Sequence, residues 1–175
     1  MRQQITSLSK PKTRRNILIA GGALLVAGAA WLYLPVSAQN TSPDGYDILD
    51  AQAAFDAAKA GDIILVDIRR PDEWASTGIA QGAVALDMRQ DSFVTSLVAL
   101  RKLYPTRTIA LICRTGNRSG HVVSTLAQQG FSGLADVSEG MQGGRNGQGW
   151  VNRGLPIYAG TAAQIIPRLN AVMTP

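Results

Sequence analysis

The residues best suited to covalent chemistry lie together in one short stretch, 113–119. Cys113 is the only cysteine in the 175-residue chain. A polar segment with two arginines and a glycine follows it: Arg114, Thr115, Gly116, Asn117, Arg118 and Ser119. The thiolate form of cysteine is a nucleophile, so this stretch predicts nucleophilic chemistry at Cys113.

Charge and backbone shape both favour a thiolate at this position. Successive N–H groups at a turn and a helix start form a concave site for negative charge. Gly116 permits a backbone shape that a residue with a Cβ would resist, and Arg114 and Arg118 add positive charge. A cysteine beside two arginines and a glycine is poorly placed for core packing. We therefore expect a reactive thiolate rather than a buried, inert thiol.

The elements on either side of this stretch predict where it lies. The unbroken apolar run 109–112 is typical of a strand buried on both faces of a parallel sheet. From Ser119 onward, apolar residues recur every three or four positions, which predicts a helix. The loop between them then lies at the carboxyl edge of the sheet, where open α/β folds bind ligands.

The same alternation of strands and helices continues along the chain. The patterns predict strands at 63–66, 84–86 and 134–137, and helices at 51–60, capped by Asp50 and Gly61, and 93–103. A short helix capped by Asp72 and a terminal helix over 162–173, interrupted by Pro167, are also expected. Together they predict a doubly wound α/β domain with four to five mainly parallel strands flanked by helices.

Several strings in this order resemble the rhodanese-type sulfurtransferases. The cysteine loop 113–119 is similar to the active-site loop of that family, and residues 66–74, 78–83 and 154–157 match further motifs. The resemblance covers roughly residues 46–158. It implies a rhodanese-like domain over 46–160, with a C-terminal extension over 161–175.

The resemblance implies a sulfurtransferase whose catalytic residue is Cys113. Its thiolate takes a sulfane sulfur from a small donor anion such as thiosulfate and passes it, as a persulfide, to cyanide or a thiol. Residues 114–118 (Arg114, Thr115, Gly116, Asn117 and Arg118) would bind the donor and the persulfide, with Asp67, Arg69 and Ser119 in support. No metal or organic cofactor is expected, because one cysteine and one histidine make no metal-ligand cluster.

Three other readings are open at this point. A cysteine phosphatase or arsenate reductase uses a similar loop, but those families have five residues between Cys and Arg, whereas four separate Cys113 from Arg118. A non-catalytic persulfide carrier or protein-binding module would keep the same loop. Asp67 could orient the loop or an arginine in it, or form a salt bridge instead.

Two further features have both a functional and a plain interpretation. The stretch 138–149 contains five glycines and predicts either a mobile flap over the cysteine loop, with Met141 or Arg145 reaching the site, or a surface loop. His121 is either a proton donor or a solvated residue.

The N-terminus predicts export. Five basic residues precede residue 16, and 17–34 is an 18-residue stretch without a charged side chain. This pattern predicts that 1–38 is a signal peptide, Sec or twin-arginine, or an uncleaved membrane anchor through 17–34. Either places the domain in the periplasm or on the extracytoplasmic face of the inner membrane. Residues 39–45 would be a linker.

The charge balance argues against a nucleic-acid partner. The chain has 17 basic and 12 acidic residues and a net charge of +5. Because five of the basic residues belong to the N-terminal segment, the domain itself is close to neutral. A basic nucleic-acid-binding surface is therefore not expected.

Overall fold

The computed structural model describes residues 40–174 of the chain. The strands are β1 Asn40–Thr41, β2 Asp47–Leu49, β3 Ile63–Asp67, β4 Ile79–Ala80, β5 Val84–Ala85, β6 Thr108–Ile112, β7 Leu134–Val137 and β8 Ile157–Tyr158. The helices are α1 Ala51–Ala60, α2 Pro71–Thr77, α3 Phe93–Leu103, α4 Asn117–Gln128 and α5 Ala162–Met173.

The main sheet has the strand order β1-β2-β7-β6-β3-β5. Five of these strands are parallel to one another: β2, β7, β6, β3 and β5. Only the edge strand β1 runs antiparallel. β4 and β8 form a separate antiparallel pair. This confirms the predicted α/β fold with a mainly parallel sheet. Because β3 and β6 are paired to their last residues, Asp67 and Ile112, the segments that follow them share one edge of the sheet.

Helices cover both faces of the sheet, and alternate residues of each strand pack into different clusters. On β6, Ala110 and Ile112 face a cluster that includes α1 and Trp150. Ile109 and Leu111 face a second cluster with α3 and α4. Continuing the two-residue alternation past the strand end places Cys113 on the α4 side, and it packs in that second cluster.

Three helices depart from the sequence predictions at their ends or centres. α4 begins at Asn117 rather than Ser119, because Gly116 takes the N-cap position. α2 is capped at Arg70 rather than Asp72, because Pro71 fills the first helical position. α5 continues through Pro167.

The predicted C-terminal extension is part of the folded domain. Leu169, Val172 and Met173 of α5 pack against the second apolar cluster, and the Tyr104 hydroxyl donates to the Val172 carbonyl at 2.9 Å. This packing offsets the backbone hydrogen bond that Pro167 cannot make.

The predicted linker contains the short strand β1 and a closed turn. β1 pairs with β2, and the intervening turn is closed by hydrogen bonds between Ser42 and Tyr46 and between Gly45 and Ser42. Asp and Gly favour such a tight turn, which the composition did not distinguish from a loose connection. The signal or anchor predicted over 1–38 lies outside the described residues. Within 40–174, no helix has the length and apolar character needed to cross a bilayer.

Candidate active site

Cys113 stands at the carboxyl end of β6 and opens the loop that leads into α4. Its side chain is 1 % exposed, so the expectation that it would be poorly placed for packing is wrong. Alternate residues of β6 face the apolar layer under α4, and Cys113 continues this alternation into the same layer. The loop that follows turns towards the surface. The sulfur is thus shielded from bulk water.

The loop backbone presents free N–H groups. Among the turn and loop hydrogen bonds of the described chain, none has the N–H of residues 114–118 as its donor. The carbonyls of Cys113 and Arg114 instead accept from the N–H groups of Met141 and Gln142, both at 2.8 Å. Because the C=O and N–H of a trans peptide point in opposite directions, these bonds turn the N–H groups of Arg114 and Thr115 away from Met141 and Gln142. This arrangement suits an anion.

The glycine-rich stretch 138–149 therefore supports the loop from behind. Met141 is fully buried and packs in the first apolar cluster rather than reaching over the cysteine. Glu139 fastens the stretch by accepting hydrogen bonds from the N–H of Gly149 at 3.2 Å and from Arg153 at 2.6 and 2.7 Å. The interpretation of this stretch as a flap covering the loop is not what the contacts show.

Gly116 has a geometric reason to be glycine. Its φ is +85°, a conformation that residues with a Cβ rarely adopt. A Cβ at this position would also overlap the Ser138 carbonyl oxygen. The turn between β6 and α4 thus depends on this glycine in two ways.

Ser119 lies directly beside the reactive atom. Its hydroxyl lies 3.4 Å from Cys113 Sγ and 3.1 Å from the Gly116 carbonyl oxygen, and the side chain is buried. A hydroxyl in this place can donate a hydrogen bond to an anionic sulfur.

Arg118 is held by a partner that the sequence analysis did not assign to the site. Its two terminal nitrogens donate to Glu73 Oε2 and Oε1 at 2.8 and 2.6 Å. This hydrogen bond is the main cause that raises the pKa of Arg118, and the nearby Cys113 contributes less. The pKa of Glu73 is lowered overall, although burial alone would raise it. Glu73 therefore fixes the guanidinium in a bidentate pair beside the cysteine loop.

A polar cleft of about 360 Å³ opens next to the loop. It is lined by Arg70, Glu73, Arg114, Thr115, Asn117 and Arg118. Three arginines against one glutamate give its wall a net positive charge, which attracts a small anion. Cys113 lies beneath this wall rather than on it, so the structure brings the predicted binding residues together around the loop that covers the sulfur.

Asp67 and Arg69 form a salt bridge of 2.7 Å with each other, and both side chains are completely buried. Arg69 also donates to the Gly78 carbonyl at 2.6 Å and to the Thr77 hydroxyl at 2.7 Å. The pair thus ties the end of β3 to the end of α2. The contacts agree with the salt-bridge interpretation of Asp67, because its partner is Arg69, whereas Arg118 pairs with Glu73.

Asp136 on β7 is a second residue that the sequence analysis missed. It is 6 % exposed, and its Oδ1 has no hydrogen-bond partner. Burial raises the pKa of Asp136 to about 6, even though the neighbouring Ser119 side chain offsets part of that rise. The sequence does mark Asp136, because it is the one acidic residue inside the apolar run 134–137. Charged side chains are almost never fully buried without a partner.

Two remaining expectations concern metals and His121. Within 40–174, no group of three His, Cys, Asp or Glu side chains is arranged to hold a metal ion. His121 is exposed on α4, which agrees with the solvated interpretation.

Comparison with known proteins agrees with this geometry. The family model for the rhodanese-like domain matches residues 50–146. A sulfurtransferase from Allochromatium vinosum is 31 % identical over 102 residues, which cover 58 % of this chain and 84 % of the relative. The solution structure of a polysulfide-sulfur transferase homodimer from Wolinella succinogenes is similar, with 25 % identity and a TM-score of 0.50. The match covers 65 % of this chain and 79 % of that chain.

A second similar structure is that of a rhodanese-like domain protein from Staphylococcus aureus, with 23 % identity and a TM-score of 0.45. The match covers 64 % of this chain and 98 % of the Staphylococcus aureus chain. Since the family model spans more than half of the chain, the protein belongs to the rhodanese-like domain family. The family and its sulfurtransferase relatives support sulfurtransferase activity in general.

Proposed function

We propose that the protein transfers a sulfane sulfur through a persulfide on Cys113. The Cys113 thiolate attacks the outer sulfur of a donor such as thiosulfate. The bond between the two donor sulfurs breaks, and sulfite leaves with its electron pair. Cyanide or a thiol then takes the outer sulfur and regenerates the thiolate. The observation that carries the proposal is the set of free N–H groups at residues 114–118, in the loop that directly follows a buried cysteine.

The cleft supports an anionic donor. Arg70 and Arg114 line it together with the Glu73–Arg118 pair, so a dianion such as thiosulfate would meet an excess of positive charge. The cleft is open and polar, and a polysulfide is a second donor of the same class. The relative from Wolinella succinogenes is named for polysulfide-sulfur transfer.

The length of the loop favours sulfur over phosphate. Four residues separate Cys113 from Arg118, and this shorter loop forms a smaller cradle than the five-residue spacing of cysteine phosphatases. A sulfur anion is smaller than a tetrahedral phosphate. Sulfur transfer therefore fits the cradle better than phosphate-ester hydrolysis does.

The direct test measures the intermediate and the product separately. After incubation with thiosulfate, the intact protein should gain the mass of one sulfur atom, and subsequent addition of cyanide should remove it and release thiocyanate. Cys113→Ser should show neither event. Hydrolysis of para-nitrophenyl phosphate without sulfur loading would point to the phosphatase alternative. Loading without turnover would indicate a carrier that needs a partner.

Arg118→Ala tests how the donor is bound. We expect a higher KM for thiosulfate, because the side chain is part of the positively charged wall. The matched control is Arg107→Ala, since Arg107 is an exposed arginine just before β6, at the opposite edge of the sheet. A loss confined to the cyanide step would contradict the assigned role of Arg118.

We also propose that this chemistry takes place outside the cytoplasm, with membrane association through 17–34 if the segment is not cleaved. The support is the basic segment followed by 18 uncharged residues. Cell fractionation combined with intact mass reports location and processing together. Full-length protein found only in the soluble cytoplasmic fraction would refute this.

A further inference from the structure

Asp136 differs from the other buried acidic residues of the described chain. Asp67, Asp87 and Glu139 are each paired with an arginine at 2.6–2.7 Å. Asp136 takes part in no salt bridge within 40–174, and its Oδ1 accepts no hydrogen bond. A buried carboxyl without a cationic partner is costly, so this residue requires an explanation that the fold alone does not supply.

The position of Asp136 places it behind the reactive cysteine. On β7 it pairs across the sheet with Leu111 of β6, two residues before Cys113. Both Leu111 and Cys113 face the apolar layer under α4, and Leu134, two residues before Asp136, faces the same layer. A Cβ built on Gly120 would lie 3.2 Å from Asp136 Oδ2. The carboxyl therefore lies under the first turn of α4.

Ser119 connects the carboxyl with the sulfur. Its hydroxyl lies 3.4 Å from Cys113 Sγ and 3.1 Å from the Gly116 carbonyl oxygen. The next residue in the first turn of α4, Gly120, borders Asp136 Oδ2, and the Ser119 side chain lowers the pKa of Asp136 against the effect of burial. A hydroxyl can accept one proton while it gives up another. Ser119 thus has the position and the chemistry to pass a proton between the two side chains.

No charged group competes for this role around the carboxyl. Ile48 on β2 and Leu111 on β6 pair with Asp136 across the sheet, and Ser119 and Gly120 face it from α4. All four are uncharged. Burial and the Ser119 hydroxyl account for its raised pKa without a charged neighbour. The only histidine, His121, is exposed.

We propose that Asp136 accepts the proton of the Cys113 thiol through the Ser119 hydroxyl, so that the cysteine and the carboxyl share one proton. The thiol proton passes to Ser119 Oγ as the hydroxyl proton passes to Asp136. An S–H bond is replaced by a carboxylic O–H bond, and no oxidation or reduction occurs. The inference rests on Cys113 being the reacting nucleophile of the proposed function.

The transfer moves negative charge to the place best built for it. Before transfer, the charge lies on a carboxylate in an apolar layer with an unfilled acceptor. After transfer, it lies on a sulfur that Arg118 interacts with, at the start of a loop with free N–H groups. The protonated carboxyl can then donate to Ser119, which leaves the serine hydroxyl free to donate to the anionic sulfur. Asp136 is therefore a positioning and proton-holding residue rather than a group that touches the donor.

The first test is the pH profile of Cys113 alkylation by iodoacetamide in the full chain. Two groups that share a proton titrate in two steps when they interact by more than about one pH unit, so the wild-type rate should rise in two steps. Asp136→Asn should show one step. The matched control is Asp47→Asn, which removes a carboxylate from the neighbouring strand β2 and should retain the wild-type shape. Wild-type and Asp136→Asn profiles that differ only by a constant factor would overturn the proposal.

A second test needs no substitution. In wild-type protein labelled with ¹³C-carboxyl aspartate, infrared difference spectra follow the protonated carboxyl while methyl methanethiosulfonate caps Cys113. Capping removes the anionic sulfur, so the signal of the buried carboxylic acid should fall near neutral pH. An unchanged signal would overturn the proposal. Both readouts are independent of sulfur transfer, so a protein that shares the proton but makes no thiocyanate would refute the proposed function alone.

Discussion

Replacing Asp136 with asparagine should make the protein more stable at neutral pH. The pKa of this carboxyl is about 6 in the folded protein, against an ordinary value of 3.8. Because the folded state binds the proton more tightly, the stability that the protonated carboxyl provides is complete below the ordinary pKa and is lost as the pH rises through about 6. The difference between the two pKa values corresponds to about 3 kcal/mol.

Asparagine has a similar shape and cannot ionise, so Asp136→Asn should remove most of this cost. We expect the free energy of unfolding of the variant to exceed that of wild type by about 1–3 kcal/mol near pH 8. Near pH 4 the two proteins should differ little. Urea unfolding, followed by circular dichroism across this pH range, gives the comparison. The control is Asp91→Asn, which removes an exposed aspartate just before α3.

The pH dependence is the decisive part of this experiment. If Asp136→Asn is less stable than wild type at pH 8, or if the difference is the same at every pH, the carboxyl is not held with a raised pKa. The reasoning from burial and the missing partner of Oδ1 would then fail.

Three other substitutions test the site and its support. Gly116→Ala should lower the free energy of unfolding by about 1–3 kcal/mol or more, measured by urea unfolding, because of its positive φ and the overlap described above. Glu73→Gln should reduce kcat/KM for thiosulfate by about tenfold, since glutamine cannot hold both nitrogens of Arg118; unchanged kinetics would contradict this. Asp67→Ala should lower the free energy of unfolding by about 3–5 kcal/mol, because it leaves Arg69 buried and unpaired, whereas a loss of activity at full stability would favour a role of Asp67 in orienting the loop.

The fold was predictable because its signals are local. The apolar runs at 63–66 and 109–112 became the central strands β3 and β6, and α1 has its N-cap at Asp50 and its C-cap at Gly61 as expected. The first residues of α2 and α4 were not predicted correctly. Their positions depend on the backbone conformations of Pro71 and Gly116, which the spacing of apolar residues does not show.

The candidate site was only partly predictable, because its supporting contacts join distant parts of the chain. The loop 113–119 could be assigned from its own residues. The pairing of Glu73 with Arg118 spans 45 positions, and no local pattern indicates which acidic residue pairs with which arginine. The backbone contacts of Met141 and Gln142 with the loop likewise depend on the tertiary arrangement.

The sequence does contain a pattern that separates Asp136 from the two other buried aspartates, Asp67 and Asp87. Asp67 and Asp87 are each followed two positions later by an arginine, and in both cases that arginine donates its backbone N–H and its Nε to the carboxylate. The pattern Asp-x-Arg thus provides its own counter-charge within a single turn. Asp136 is followed by Val137 and Ser138, so a buried position leaves it without a local cation. A buried carboxylate that has no cationic partner destabilises the folded state unless it exchanges a proton with a neighbouring group. Ser119 and Cys113 are the neighbours that make such an exchange chemically useful.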